Sequence, residues 1–175
     1  MKLLISCILL MAALQSDTWK VTKADIQFTI KNGFGTTADG DFKLKEAKIV
    51  FNPTNLAQTQ IEATVLTTTI STGLGIRDKV LRKADYFDCE HYPEMSLKYV
   101  GGIKSVTKNQ YTGQFKLKIK ATEKLLTLPF TATIAGDKAQ FATQFTINRL
   151  DYKVGESSFA LGDDVKVDIK VEAVR

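Results

Sequence analysis

The segment from Ile70 to Pro93 combines several residue types that could do chemistry. It carries carboxylates, arginines, a thiol and an imidazole: Arg77, Asp78, Arg82, Asp85, Asp88, Cys89, Glu90 and His91. Such a cluster could bind a metal ion or act on a substrate, or it could form ion pairs that tie a connection to the body of the protein. Exposed ion pairs are common and individually weak, so the structural interpretation is favoured.

Neither a metal site nor histidine-dependent catalysis finds further support in the sequence. His91 is the single histidine of the chain, and it lies beside Pro93 in a predicted connection. Cys89 is flanked by two acids, but adjacent side chains of an extended segment point in different directions. No second cluster at metal-ligand spacing completes a coordination shell. The sequence therefore predicts no metal, no cofactor and no catalytic residue.

The residues on either side of this segment alternate between apolar and polar with a period of two. The run from Asp25 to Lys31 places Ile26, Phe28 and Ile30 on one face. The clearest case alternates three apolar residues with three lysines: Phe115, Lys116, Leu117, Lys118, Ile119 and Lys120. This period is typical of strands with one buried face. About eight such runs follow one another along the chain, which predicts an all-β protein.

The segment that holds the charged cluster breaks this pattern. Ile76 and Val80 recur at helical spacing, and Ser71 and Thr72 are candidate helix caps. Pro93 prevents the helix from continuing. We therefore predict a short helical insertion around residues 73–88, between two strands.

Two irregularities are predicted within the strands. Glu46 and Ala47 shift the alternation by one residue, which indicates a β-bulge. Gly101 and Gly102 are expected to turn the chain.

A chain of 175 residues is long enough for one domain with a sizeable core. The strands indicate an eight-stranded antiparallel barrel, but alternation does not say which face points inward. An outer-membrane barrel turns its apolar face to lipid, whereas a barrel in water does the reverse. Lys116, Lys118 and Lys120 could not all be desolvated inside so narrow a barrel. We therefore predict an apolar interior and a protein that is not membrane-embedded.

Residues 1–16 have the layout of a secretory signal peptide, with one lysine, an apolar run and then small and polar residues. Residues 17–175 would then be a single mature domain, with Cys89 as its lone cysteine. The sequence around Cys7 resembles a lipoprotein cleavage site, but only six residues precede that cysteine, which argues against lipidation. The formal charge of +5 comes from lysines spread along the strands, so we predict no nucleic-acid partner.

The inward face of the barrel is predicted to be rich in phenylalanine and branched apolar residues. We place twelve residues on it: Phe28, Ile30, Phe42, Phe51, Ile61, Leu97, Phe115, Leu117, Phe130, Phe141, Phe145 and Ile169. A barrel of eight strands can fill its interior with side chains or leave room for one small ligand. The pattern alone leaves both alternatives open.

The segment from Thr67 to Pro93 resembles the signature of the YceI-like family. Its pattern is Ser-Thr, Arg-Asp, Leu-Arg, Asp-Tyr-Phe-Asp and Tyr-Pro, in that order. The resemblance extends to residues 25–30, 40–42 and 147–165 and so covers essentially the whole predicted mature chain. It implies a lipocalin-like barrel with a helical insertion and export to the periplasm or beyond. It also implies an elongated apolar cavity that holds a polyisoprenoid chain, such as an isoprenoid quinone or a prenyl lipid.

The resemblance leads to a functional hypothesis of non-catalytic lipid carriage or storage in the cell envelope. The twelve inward-facing residues would contact the isoprenoid lipid, and polar residues at the mouth would select its head group. The signature residues would pin the insertion by ion pairs and hydrogen bonds, and the ligand would be held by residues outside the insertion. These signature residues are Arg77, Asp78, Arg82, Asp85, Asp88, Pro93 and Arg149.

Two alternatives to this hypothesis remain. The first is an enzyme that acts on a lipid-like substrate, with the charges of residues 77–88 at the mouth of the barrel. The second is an outer-membrane barrel, which the lysine rows disfavour.

Overall fold

Alternating apolar and polar residues build eight β-strands, which close into an antiparallel barrel in the computed structural model. The structure describes residues 17–175, so the predicted signal peptide and Cys7 lie outside the described residues. Each strand pairs with its neighbours in sequence, and β1 pairs with β8 to close the barrel. The strands are β1 (Thr18–Asn32), β2 (Thr37–Val50), β3 (Gln60–Ser71), β4 (Glu94–Thr107), β5 (Gln110–Ile119), β6 (Thr122–Ala135), β7 (Lys138–Asn148) and β8 (Leu161–Val174). The fold class predicted from the sequence is confirmed.

One short α-helix, α1 (Gly75–Leu81), lies in the connection between β3 and β4. It is shorter at both ends than the predicted helix of residues 73–88. At its C-terminal end, turns replace the helix. The predicted caps are wrong: Leu74 occupies the N-cap position and makes no side-chain capping bond. Thr72 instead donates its backbone N–H to the carboxylate of Asp78 at 2.9 Å. Two 3-10 turns, Leu56–Gln58 and Arg149–Tyr152, complete the secondary structure of the described residues.

The apolar face of the strands points into the barrel. On β5, Phe115, Leu117 and Ile119 are buried, whereas Lys116 and Lys118 are exposed. This is the orientation that the lysine row predicted, because charged groups in water keep their hydration.

Within residues 17–175, no helix has the length and apolar character needed to cross a bilayer.

Bulges or irregularities shift the register of several strand pairs. The register between β2 and β3 shifts between Leu44 and Glu46, so the predicted bulge lies one residue earlier than expected. The predicted turn at Gly101 and Gly102 is wrong, because β4 continues through both glycines to Thr107. Their φ angles of 139° and 67° need residues without a Cβ. The glycines therefore kink the strand while its register with β5 shifts.

An aromatic cluster fills one end of the barrel. Trp19 and Phe51 are 2% and 1% exposed, and the Trp19 indole donates to the Phe51 carbonyl oxygen at 2.9 Å. The Phe51 ring meets Tyr111, Phe130 and Phe141 edge-on, at centroid distances of 5.1, 6.0 and 5.8 Å. Edge-to-face packing is a favourable geometry for aromatic rings. We call this cluster the aromatic floor.

A second buried cluster lies at the other end of the barrel, where the insertion and the β7–β8 connection fold over the strands. It is made of Phe42, Ile70, Met95, Leu117, Ile119, Ile147, Tyr152 and Val154. The two ends of the barrel are thus closed differently. One is filled by the aromatic floor, and the other is covered by loops.

Replacing Tyr152 by phenylalanine is expected to leave the protein at least as stable at neutral pH. Tyr152 is 1% exposed, and its hydroxyl makes no hydrogen bond with the described residues, so removing the oxygen removes an unsatisfied buried group. Burial, with a smaller contribution from Asp151, raises the pKa of this hydroxyl from 10.0 to about 12.

The same substitution tests this pKa. Above pH 10 the unfolded chain ionises its tyrosine before the folded chain does, so the wild type loses stability as the pH rises through 12. Urea unfolding of Y152F at several alkaline pH values should show a smaller loss. An equal loss in both proteins would contradict the burial of this hydroxyl.

Candidate ligand-binding cavity

An apolar cavity of about 590 Å³ lies inside the barrel, above the aromatic floor. Each of the eight strands contributes apolar side chains to its wall, among them Ile26, Leu44, Val65, Leu128 and Val165. A volume of this size falls in the range of sites that hold small molecules. The question that the alternation left open is therefore answered in favour of a cavity rather than a filled interior.

Eleven of the twelve residues predicted to face a ligand line this cavity. They are Phe28, Ile30, Phe42, Ile61, Leu97, Phe115, Leu117, Phe130, Phe141, Phe145 and Ile169. Phe51 does not, because it follows the end of β2 and is packed in the aromatic floor. Its placement on the cavity wall was wrong, whereas contact between the other eleven and a ligand stays a prediction.

Small residues keep the cavity open. Ala47 and Ala63 are cross-strand partners on β2 and β3, and both line the wall. Gly40 leaves space for a neighbouring ring, because a Cβ at this position would lie 2.3 Å from Cζ of Phe28. The Phe28 ring therefore occupies the space beside Gly40.

The insertion contributes to the cavity wall, whereas the prediction that the ligand is held by residues outside the insertion stays a prediction. Val80, Leu81, Tyr86 and Phe87 all line the cavity. After α1 the chain folds back, and the Phe87 N–H donates to the Leu81 carbonyl oxygen at 3.0 Å. This turn directs the Phe87 ring onto Phe42, with the ring centroids 5.4 Å apart. The sequence did not indicate that these residues line the cavity, because charged residues surround them.

The arginines of the insertion form hydrogen bonds, one of the two kinds of interaction that were predicted for them. Arg77 donates to the hydroxyl and the carbonyl oxygen of Thr72, both at 2.7 Å. Arg82 donates to the carbonyl oxygen of Ile70 at 2.9 Å. These acceptors lie where β3 ends, and an arginine fork supplies the donors for carbonyl groups that have left the sheet. These arginines therefore join the insertion to the end of β3 by hydrogen bonds.

The acids and the proline of the signature hold the insertion in different ways. The carboxylate of Asp85 is exposed, and the backbone oxygen of this residue accepts from Gly155 N–H at 2.8 Å. Asp88 pairs with His91 Nδ1 at 2.8 Å. The Pro93 carbonyl oxygen accepts from Thr67 N–H at 2.9 Å. Much of the anchoring therefore uses backbone groups.

Arg149 is the centre of the β7–β8 connection. It is 4% exposed and donates to the carbonyl oxygens of Val154, Glu156 and Gly162 at 2.8 to 2.9 Å. A further bond of 2.9 Å reaches the carboxylate of Asp163. This one side chain therefore joins five points of the connection to one another.

Lys120 links the insertion to the β7–β8 connection, the two segments that cover this end of the barrel. The sequence did not indicate this role. Lys120 was predicted to face water as the third lysine of its row. Its Nζ instead donates to the carbonyl oxygens of Ala84 and Lys153, at 3.2 and 3.0 Å. The reason is its position, since Lys120 lies in the turn after β5 with a φ of 54°.

The mouth of the cavity lies at the loop-covered end. Asn32, Thr72, Arg77 and Ser158 line it there, while the wall below is mostly apolar. Among residues 17–175, no three histidine, cysteine, aspartate or glutamate side chains are placed to share a metal ion. This arrangement suits a ligand with a long apolar part and a polar end at the mouth.

We expect His91 to titrate above the usual histidine pKa. Its hydrogen bond to Asp88, together with the charge of that carboxylate, raises the pKa of His91 above 6.5. The pairing stabilises the fold fully below pH 6.5, and this contribution is lost as the pH rises through the folded-state pKa. An NMR titration should show the raised value, and Asp88→Asn should lower it. Equal values in both proteins would mean that the pair does not form in solution.

Comparison with known proteins places the barrel among its relatives. A family model described as the YceI-like domain matches residues 18–173. Protein YceI of Escherichia coli O157:H7 is 26% identical over 142 residues, which cover 78% of this chain and 73% of that protein.

Solved structures share the fold. BcnA of Burkholderia cenocepacia superposes with a TM-score of 0.81 at 22% identity, over 86% of this chain and 96% of BcnA. A polyisoprenoid binding domain from Saccharophagus degradans superposes with a TM-score of 0.69 at 10% identity, over 91% of this chain and 99% of that domain. Since the family model spans almost all of the described barrel, the chain belongs to the YceI-like family.

Proposed function

We propose that this protein binds one long apolar lipid of the isoprenoid class in its barrel, as a carrier or store in the cell envelope. The observation that carries the proposal is the cavity of about 590 Å³ with an apolar wall and a polar mouth. The polyisoprenoid binding domain from Saccharophagus degradans has the same fold, which supports the choice of ligand class. A polyprenyl chain or the tail of an isoprenoid quinone has this combination of length and apolar character.

Burial of the lipid tail would supply the affinity. Each square ångström of apolar surface removed from water contributes about 25 cal/mol, and part of this gain offsets the loss of freedom of a flexible chain. The tail would extend from the mouth toward the aromatic floor, where Phe130 and Phe141 border the cavity. The polar end of the lipid would remain beside Thr72 and Arg77.

The role is proposed to be non-catalytic. Arg77 and Asp78 both bond to Thr72, and Arg82 bonds to the end of β3. These bonds anchor the covering segment, although the buried Nε of Arg82 makes no hydrogen bond with the described residues.

Lipid extraction tests the proposed function. Protein purified without detergent should release an isoprenoid lipid, and native mass spectrometry should find one lipid per chain or show uptake of an added polyprenol or quinone. A protein that is always empty and takes up neither lipid would refute the proposal. Turnover of the lipid that Asp85→Ala or Arg77→Ala abolishes would instead establish an enzyme.

Location in the envelope is a separate part of the proposal and depends on export by residues 1–16. Cell fractionation followed by N-terminal sequencing should find mature protein that begins near Asp17. Recovery of the intact N-terminus from the cytoplasm would contradict export.

A further inference from the structure

The barrel wall is interrupted between β1 and β2. Near the aromatic floor Trp19 pairs with Ile49, and nearer the mouth Ile26 pairs with Phe42. Between these two pairs, the strands form no ladder pair with each other in the described barrel. We call this stretch the seam gap, and it consists of residues 20–25 and 43–48. Along the gap, β1 still pairs with β8 and β2 with β3, so the gap is an opening within the wall rather than a frayed end.

Two β-bulges that face each other explain the seam gap. The register of β1 against β8 shifts at Thr22, and the register of β2 against β3 shifts at Lys45. Each bulge adds one residue and bends its strand. Because both strands gain one residue, β1 and β2 have the same register on either side of the gap. The bends therefore separate the two strands within the gap and let them meet again beyond it.

A second cavity of about 420 Å³ lies in the seam gap. Residues 21–27 of β1 and 41–44 of β2 line it. Four residues line both this cavity and the main cavity: Ile26, Gln27, Phe42 and Leu44. On the outer side of the wall, the exposed side chains of Lys23 and Asp25 form an ion pair of 3.2 Å. The gap therefore leads from the main cavity to the outside of the barrel.

The seam gap suits water better than it suits an apolar tail. Backbone N–H and C=O groups that point across the gap have no ladder partner there, so they need water as their partner. The charged residues that line the second cavity are Lys23, Asp25, Asp41 and Lys43, two of each sign. An apolar chain in the gap would remove these backbone and charged groups from water, which costs free energy.

The aromatic floor closes the deep end of the main cavity beside the gap. Trp19 and Phe51 are 2% and 1% exposed, and the Phe51 ring packs on three other rings of the floor. A tail that enters by the mouth moves toward this closed end. Water below the tail then has to pass the tail itself or leave through the wall.

We infer that the seam gap is a second opening of the main cavity, through which water leaves as the tail of a lipid enters by the mouth and returns as the lipid leaves. The position of the gap suits this role, because the gap begins directly above the Trp19–Ile49 pair beside the floor. The identity of the entering ligand rests on the proposed function, whereas the opening in the wall does not.

Removing both bulges is expected to close the gap. In the variant that lacks Thr22 and Lys45, inward and outward residues alternate without interruption, so the two strands can pair along their whole length. The inward residues are then Trp19, Val21, Ala24 and Ile26 in β1 and Leu44, Ala47 and Ile49 in β2. The matched control is T22A/K45A, which changes the same two positions but keeps the chain length and therefore both bulges.

A second variant fills the gap without changing the length of either strand. Ala24 lines the second cavity and is not among the residues that line the main one. Ala24→Phe therefore places a ring in the gap and leaves the main cavity wall unchanged. Its control is Ala135→Phe, which makes the same substitution at an exposed position near the end of β6. Thermal unfolding monitored by circular dichroism establishes that each variant is folded.

Stopped-flow mixing with retinol, a fluorescent isoprenoid alcohol, measures the rate of uptake. We expect uptake to be at least about tenfold slower in both variants than in the wild type, because water must then pass the tail or wait for the wall to open. Release should be slowed by the same factor, so the fraction bound at equilibrium should not change. Both controls should take up retinol at the wild-type rate.

Hydrogen exchange tests the opening without any ligand. In the wild type, amides of the seam gap should exchange faster than amides of the continuous β5–β6 ladder, because a ladder bond protects an amide. This difference should shrink in the variant that lacks both bulges. Equal protection of the two seams in the wild type would show that the wall is closed and would overturn the inference.

Two kinetic results would also overturn the inference. The first is uptake at the wild-type rate in both variants, which would mean that water leaves by the mouth. The second is a lower bound fraction at equilibrium in both variants, which would mean that the gap holds part of the ligand. If the wild type takes up neither retinol nor a polyprenol, the proposed function fails, whereas fast exchange in the gap would still establish the opening.

Discussion

Narrowing the cavity from two sides is expected to abolish lipid uptake while the barrel stays folded. Val167 lies between Phe28 and Phe145 in the wall, and Ala63 lies on β3, three strands away from β8 around the barrel. The double variant A63F/V167F adds two rings to a space that the tail would occupy. Phenylalanine introduces no polar atom, so the variant leaves no unsatisfied group in the apolar wall.

Native mass spectrometry with an added polyprenol measures this effect. We expect the bound fraction to fall by at least about tenfold, because the lipid tail would bury less apolar surface in the narrowed cavity. The control is T64F/K166F, which places the same rings one residue away on the outer face of the same strands. It should bind lipid normally. Uptake by A63F/V167F at the wild-type level would show that lipid binds elsewhere.

Replacing Arg149 by alanine is expected to cost about 3–5 kcal/mol of folding stability, because each buried carbonyl group left without its donor costs about 1–3 kcal/mol. Arg149 donates to three backbone carbonyl groups within 2.9 Å. Without it, these groups lose their donor in a buried position. Gly155 adds to this sensitivity, because a Cβ at this position would lie 2.8 Å from the Tyr86 ring, where the loop contacts the insertion.

Two further variants separate the contributions of Arg149. Asp163→Ala removes only the ion pair, and because the Asp163 side chain is 36% exposed it should lose at most about 1 kcal/mol. Arg149→Lys keeps the charge but not the planar fork, so we expect it to be nearly as unstable as the alanine variant. Urea unfolding at pH 7 measures all three. Wild-type stability of Arg149→Lys would show that charge alone matters.

Local patterns in the sequence were sufficient to predict the barrel. Alternation such as that of Phe115 to Ile119 defines which face of a strand is buried, and the cost of desolvating Lys116 and Lys118 decided which face points inward. The insertion was also visible, because the period changes at Ile76 and the chain meets Pro93. These features depend on residues that are neighbours in sequence, so they can be predicted from the sequence alone.

The resemblance of the signature to a known family placed Arg149 among the structural residues, but not its partners. The signature residues were expected to form ion pairs and hydrogen bonds with partners that the sequence does not name. Arg77, Arg82 and Arg149 instead bond mainly to backbone carbonyl oxygens. Charged side chains can be read directly from a sequence. Which carbonyl groups lack a partner in the sheet cannot, because this depends on where each strand ends.

Only the tertiary structure decided that the barrel is hollow and which residues surround the space. Whether Phe51 lines a cavity or packs in a floor depends on its height along the barrel, which alternation does not encode. Leu81 and Phe87 reach the wall because the chain after α1 folds back across the barrel end. Side-chain facing is a local property set by the backbone period, whereas an empty volume depends on the summed shapes of distant residues, and these meet only in the folded protein.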